Sequence, residues 1–207
     1  SSTAGLDLNT ITGDVALATS TAGTYTVTYT TNGQCPVNED TTLTIIAAPV
    51  ADFAYATPFC LNEANPLPTM INGGVSGAFT EGSGTLSIDP TTGEVNLTVT
   101  LPGTYTITNS VTLTGCPVST YSEDITVNEV PTVALGADTT ICEGDPIPDV
   151  DIVLTGTGPW NVAYDIDGTP GTAVIATLPG VIAGGAAGTY TVTMISDANC
   201  SSTGLTV

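Results

Sequence analysis

The chain of 207 residues has no lysine, no arginine and no histidine, against 20 aspartates and glutamates. An ordinary soluble protein is roughly a quarter charged, with both signs present. Without histidine there is no Ser/His/Asp or Cys/His relay and no imidazole ligand for zinc, and without lysine there is no Schiff base or P-loop amine. A phosphate backbone is gripped mainly through Lys and Arg, so a formal charge of −20 excludes nucleic acid and anionic lipid surfaces as partners.

Long apolar runs are missing too. The longest aliphatic stretch, residues 173–187, is interrupted by Gly and Pro and falls short of the ~20 residues that span a bilayer. No basic segment followed by an apolar run heads the chain, so no signal peptide is expected in it. No stretch combines a 3.6-residue apolar period with helix caps. Lysine's absence also rules out Lys/Asn isopeptide bracing and leaves trypsin no site.

What is present is periodic. Cysteines stand at Cys35, Cys60, Cys116, Cys142 and Cys200, with gaps of 25, 56, 26 and 58. Leu6 to Tyr25 lies over Leu86 to Tyr105 at a constant offset of 80, and Gly-Thr-Tyr-Thr recurs at Gly23, Gly103 and Gly188. The expected organisation is a tandem array: residues 1–47 form the C-terminal half of a truncated repeat, 48–130 a complete repeat and 131–207 another. The half repeat implies a true N-terminus elsewhere.

Pairing across the long gaps gives Cys60 with Cys116 and Cys142 with Cys200. Of the pairings that five cysteines permit, this one gives each complete repeat the same internal bridge and leaves Cys35 unpaired. Closing such a loop would stabilise a repeat by roughly 4 kcal/mol. Repeated cysteines with no CxxC or histidine partner point to structural disulfides, hence to an extracellular, oxidising setting.

Within each repeat the alternation has period two. In Thr24 to Thr30 the Tyr and Val side chains share one face and the threonines the other, and Thr104 to Thr108, Thr189 to Thr193 and Glu94 to Thr98 read alike. Asp89-Pro90-Thr91-Thr92-Gly93 marks a hairpin between Leu86–Ile88 and Val95–Leu97, with equivalents at Asn9 to Gly13 and Asp167 to Gly171. The expected fold is all-β: immunoglobulin-like antiparallel sandwiches of about 80 residues, one disulfide per repeat. Linkers fall at Ile46 to Val50 and Asn128 to Thr132, each with one proline that favours a semi-rigid rod.

Phe59-Cys60-Leu61, Pro66-Leu67-Pro68, Leu86 to Val95 and Pro102-Gly103-Thr104-Tyr105 resemble the tandem repeats of very large Bacteroidetes cell-surface proteins. The third unit, with Ile141-Cys142-Glu143-Gly144, Gly158-Pro159-Trp160 and Asp197-Ala198-Asn199-Cys200, resembles the gliding-motility adhesin family typified by SprB. The resemblance implies type IX secretion, display on the outer cell surface as filaments, and adhesion or gliding. It carries no catalytic residue across.

Candidate sites are few. The acidic residues Asp138, Glu143, Asp145, Asp149, Asp151, Asp165, Asp167 and Asp197 crowd the third repeat. Calcium would suit such carboxylates, but no Asp-x-Asp-x-Asp-Gly loop with a glutamate at its twelfth position occurs, so solvated charge is the plainer expectation and no cofactor is assigned. Trp160 reads as core, with a carbohydrate platform as the alternative. Thr41 and Thr139 follow aspartates as in the Asp-Thr-x O-glycosylation motif known in Bacteroidetes, whereas the Asn96-Leu97-Thr98 sequon lies in a strand pattern and is set aside. Two acids could in principle run glycoside hydrolysis, but no cleft-forming element accompanies them.

The expected role is a non-enzymatic stalk or filament shaft whose partners are neighbouring repeats of one long chain. The alternatives are a module that binds a glycan or partner protein, and a strand-donating subunit of an extracellular polymer.

Overall fold

The computed structural model describes residues 4–205. Its regular structure is all strand, with no helix among the described residues: β1 Gly23–Thr30, β2 Asn38–Ile45, β3 Phe53–Ala54, β4 Phe59–Cys60, β5 Thr69–Met70, β6 Ala78–Glu81, β7 Gly103–Val111 and β8 Ser119–Asn128. There follow β9 Val133–Leu135, β10 Val150–Leu154, β11 Trp160–Ile166, β12 Thr169–Ile175, β13 Gly180–Ile182, β14 Tyr190–Ser196 and β15 Ser201–Thr203. The sheets are β1-β2, β3-β5, β4-β8-β7-β6, β13-β10-β9 and β12-β11-β14-β15. The pairs β1–β2, β9–β10, β10–β13, β11–β12, β11–β14 and β14–β15 are antiparallel, and β4 runs parallel to β8, Phe59 against Val127 and Cys60 against Asn128.

Two compact units divide the chain: one holds Ser1–Phe53, Met70–Ala78 and Asn109–Tyr121, the other Ala54–Thr69, Phe79–Thr108 and Ser122–Val207. In the first, β1 pairs with β2 from Gly23↔Ile45 to Thr30↔Asn38. Asn109 is fully buried there; its Nδ2 donates to Ala51 O at 2.8 Å and Val75 O at 2.9 Å, while its Oδ1 accepts from Gly77 N at 2.8 Å. A side chain with both donors and its acceptor used is stable inside, and it ties the two irregular segments at Ala51 and Val75–Gly77 to β7. Phe53 meets Tyr121 edge to face at 5.6 Å.

The second unit buries Phe59, Phe79, Val95, Leu97, Ile107, Ile125 and Val127. A separate cluster of Ile152, Leu154, Trp160, Val162, Ile175, Ile182, Val192 and Ile195 closes the core between its last two sheets. Along β11 the inward residues Trp160 and Val162 alternate with exposed Asn161, as the period-two pattern requires.

The same local geometry recurs at the offset seen in the sequence. Asn9 Oδ1 accepts from the amides of Ile11 and Thr12 at 3.0 and 3.2 Å, and Asp89 Oδ1 from those of Thr91 and Thr92 at 2.8 and 2.9 Å. Each turn closes through Gly13 or Gly93, at φ 81° and 75°, whose amide bonds the carbonyl of Asn9 or Asp89.

The predicted hairpin at Leu86–Leu97 is reduced to one bridge, Ile88↔Val95, and its earlier equivalent to Leu8↔Val15. Two ladder bonds flank the Ile88↔Val95 bridge, Asn96 N to Ser87 O and Asp89 N to Glu94 O, both at 2.9 Å, and the ladder goes no further because Glu94 N turns to Thr92 Oγ1 and Thr98 N to Asn96 Oδ1. Glu94 to Thr98 is therefore not a regular strand. The third hairpin is tighter than its sequence suggests. Only Asp167 and Gly168, at φ 49° and 85°, make the turn, and Thr169 to Gly171 already belong to β12.

Candidate functional site

The joint built around Cys60 and Cys200 is the most distinctive site of the second unit. Cys60 ends β4 beside Asn128, and Leu61 N continues the pairing to Asn128 O at 3.2 Å. Cys200 closes the β14–β15 turn, which Asp197 shapes: Oδ1 accepts from Asn199 N and Cys200 N at 2.8 and 2.7 Å, and Oδ2 from Thr157 N at 2.8 Å. Slight burial pulls the Asp197 carboxyl upward, but the amides of Cys200, Thr157 and Asn199 outweigh it and hold the acid below its usual range. Gly156 is required beside it. Its φ is +96°, and a Cβ there would come within 2.3 Å of Asp197 Oδ2.

Cys60 and Cys200 form a disulfide with Cα atoms 5.8 Å apart. A second tie runs alongside, from Asn62 Nδ2 to Ser201 O at 2.8 Å. A shallow cleft of about 460 Å³ opens here, edged by Asn62, Glu63, Asp197, Asn199 and the two cysteines.

This bond corrects the expected pairing of Cys60 with Cys116 and Cys142 with Cys200: Cys116 and Cys142 are free thiols, as is exposed Cys35. Strand geometry gives the reason. Cys60 is registered with Asn128, the last residue of β8, whereas Cys116 precedes Ser119, the first. The ten residues of β8 span roughly 30 Å at about 3.3 Å each, far beyond the ~7 Å a disulfide tolerates between Cα atoms. Cys142 and Cys200 are separated likewise. Cys142 follows β9 beyond Leu135, while Cys200 lies by Thr157 at the Leu154 end of β10, and Leu154 pairs with Val133 at the start of β9. Cys142 and Cys200 thus lie toward opposite ends of the strands in their unit.

The other predicted residues scatter. Trp160 is 6% exposed and its Nε1 donates to Thr155 O at 2.8 Å, so it is core and offers no stacking platform. Gly158 allows that packing, since a Cβ there would lie 2.5 Å from the indole Cζ3. Asp138, Asp149 and Asp151 border a cleft of about 470 Å³ with Tyr190 and Ile147. Asp149 is partly engaged, accepting from Gly184 N at 2.9 Å, and Asp167 accepts from Thr189 N at 3.0 Å. Among the described residues no three carboxylates or thiols converge on a point that could hold a metal ion. Thr41 is exposed on β2 and Thr139 exposed in a loop. Asn96 turns its Oδ1 onto the amide and hydroxyl of Thr98, at 3.1 and 2.6 Å.

Sequence reasoning missed two residues. Glu123 Oε2 is buried with no hydrogen-bond partner among the described residues, although Oε1 accepts from Tyr55 N at 3.4 Å. Burial first, and the Glu123 charge second, push the Tyr55 phenol well above its ordinary range, and its hydroxyl donates to Gly93 O. A glutamate in a strand pattern gives no hint of such burial. Asn109 was equally silent, although an Asn amid Tyr105, Ile107 and Val111 on the inward phase of β7 is the one signal available.

No known family matches the chain, and no curated protein is significantly similar to it.

Proposed function

We propose that this chain is a non-enzymatic segment of tandem immunoglobulin-like repeats, serving as stalk or filament shaft of a large secreted adhesin used in surface attachment or gliding. The observation that carries this reading is the recurrence of one local architecture along the chain. The Asx turn returns at Asn9 and Asp89. The tyrosine of each Gly-Thr-Tyr-Thr signature bonds the carbonyl four residues before it: Tyr25 to Thr21, Tyr105 to Leu101 and Tyr190 to Ala186. Equal modules with a covalent tie suit load transmission, and 20 acidic residues with no basic one keep a long polymer soluble and self-repelling.

Immunogold labelling of intact cells with antibody raised to residues 131–207 tests it. Label along filaments outside the cell is expected, and label appearing only after lysis would refute the assignment. Binding of a glycan or partner protein is the second reading. With Trp160 buried, it rests on the Asp138 and Tyr190 cleft, and saturable binding lost in Tyr190→Ala but kept in Trp160→Phe would favour it.

A further inference from the structure

We propose that Cys116, Cys142 and Cys35 are halves of further disulfides of the Cys60–Cys200 kind, each closed by a cysteine of a neighbouring repeat in the longer chain. This rests on the tandem-repeat reading above, and it adds a rule of connectivity: the early cysteine of one repeat bonds the late cysteine of the next.

The bond already made defines the two half-sites. Cys60, the early cysteine of residues 48–130, lies where β8 ends and the chain passes on to the next repeat. Cys200, the late cysteine of residues 131–207, lies by Thr155 and Thr157, at the end of β10 near which the chain enters, Thr132 N donating to Thr155 Oγ1 at 2.9 Å. Early cysteines thus face forward along the chain and late cysteines backward.

The free cysteines match these half-sites in detail. Cys142 opens a turn in which Asp145 N bonds its carbonyl at 3.1 Å, as Glu63 N bonds that of Cys60 at 3.0 Å. It follows β9 toward the end of the sheets where Tyr190 begins β14, opposite the pole that holds Cys200. Cys116 N bonds back to the Leu113 carbonyl at 2.9 Å and Cys200 N to the Asp197 side-chain Oδ1 at 2.7 Å, different acceptors but each three residues earlier. Its Sγ lies 3.9 Å from Ala47 O, on the linker by which its repeat is entered. Cys35 occupies the same turn between β1 and β2 that Cys116 occupies between β7 and β8 and Cys200 between β14 and β15. None of the three has a complementary half-site in residues 1–207: Cys142 needs a late cysteine after it, and Cys116 and Cys35 need early cysteines before them.

The chemistry is ordinary oxidation. Two thiols lose two protons and two electrons as one S–S bond forms, and an acceptor disulfide of the thiol–disulfide oxidoreductase class takes them up and becomes a dithiol. Successive repeats would then be stapled pole to pole in an unbroken covalent series.

Peptide mapping of the full-length protein, unreduced, with free thiols blocked by N-ethylmaleimide and cleavage at acidic residues, decides the matter. The expected result is a Cys60–Cys200 peptide, a Cys142 peptide linked to a cysteine about 140 residues further on, and Cys116 and Cys35 peptides linked to cysteines about 140 residues earlier, matching the observed separation of 140. Cys116 or Cys142 carrying the maleimide, or bonded to a cysteine within residues 1–207, would overturn the rule while leaving the shaft reading intact if flanking repeats are present. A mature protein without flanking repeats would remove both.

Discussion

Tyr105 turns its hydroxyl back onto the carbonyl of Leu101, 2.6 Å away and four residues earlier, and Tyr25 and Tyr190 make the same bond to Thr21 and Ala186. The phenol packs under the preceding loop while its oxygen fixes that loop's path into the strand. Tyr105→Phe keeps the ring and removes the bond, so it should cost about 1 kcal/mol, the Leu101 carbonyl being free to regain water. Calorimetry should show Tm lower by about 2–4 °C; an unchanged Tm would mean that the bond is incidental.

Asn109 should matter more. Asn109→Ala leaves the buried Ala51 carbonyl without its donor and breaks the part-buried bonds to Val75 O and Gly77 N, and unmade buried bonds cost more than exposed ones. Urea titration should show a loss of roughly 2–3 kcal/mol. Thr106→Ala, which breaks only the exposed bond to Asp124, should stay within about 0.5 kcal/mol. Equal effects would contradict the role given to Asn109.

The Tyr55–Glu123 pair predicts alkaline behaviour. The folded state holds the Tyr55 phenol above its ordinary value, by burial and by the Glu123 charge. That contribution is whole below the unfolded phenol value of about 10 and is lost as pH rises toward the folded one. Glu123→Gln removes the charge, so phenolate absorbance should titrate at lower pH than in the parent, while Tm at neutral pH should not fall, because the amide oxygen can still accept from Tyr55 N. A lower neutral Tm would show that the carboxylate is needed.

Asp197 works on the acid side. Its folded-state pKa is lowered, so its contribution is present above the ordinary aspartate value of about 3.9 and disappears as pH falls through the folded value. Asp197→Ala should flatten the stability profile in that window. It should also slow reoxidation of Cys60 with Cys200, because the turn presenting Cys200 loses its three amide bonds. Unchanged reoxidation kinetics would show that the turn holds its shape without Asp197.

What the sequence could and could not announce follows from the physics of each element. Thr24 to Thr30 lies within β1 as its alternation predicts, and Trp160 sits on an inward phase and is buried, but only Tyr25 of the expected Tyr and Val face of β1 is buried and Tyr29 is 69% exposed, because period-two patterning tells which residues share a face and not what covers it. Asp167-Gly168 declared a turn but not its length, since Thr169 to Gly171 are compatible with either turn or strand. The ladder expected at Leu86–Leu97 stayed at one bridge because the side chains of Thr92 and Asn96 captured the amides of Glu94 and Thr98, a competition invisible in alternation alone. Cysteine spacing revealed the period yet misassigned the bond. Chain distance says nothing about which pole of a strand a residue occupies, and the register of Cys60 with Asn128 decides that.

A shaft of covalently tied neighbouring repeats should respond to reduction when the 207-residue chain is stretched from its two ends. With Cys60 bonded to Cys200, the intervening stretch, a sequence separation of 140, is shielded from force. Reduction should then release one gain of roughly 480 Å, at about 3.4 Å per residue. Two separate gains near 190–200 Å, as bonds within each repeat would give, or no gain at all, would contradict it.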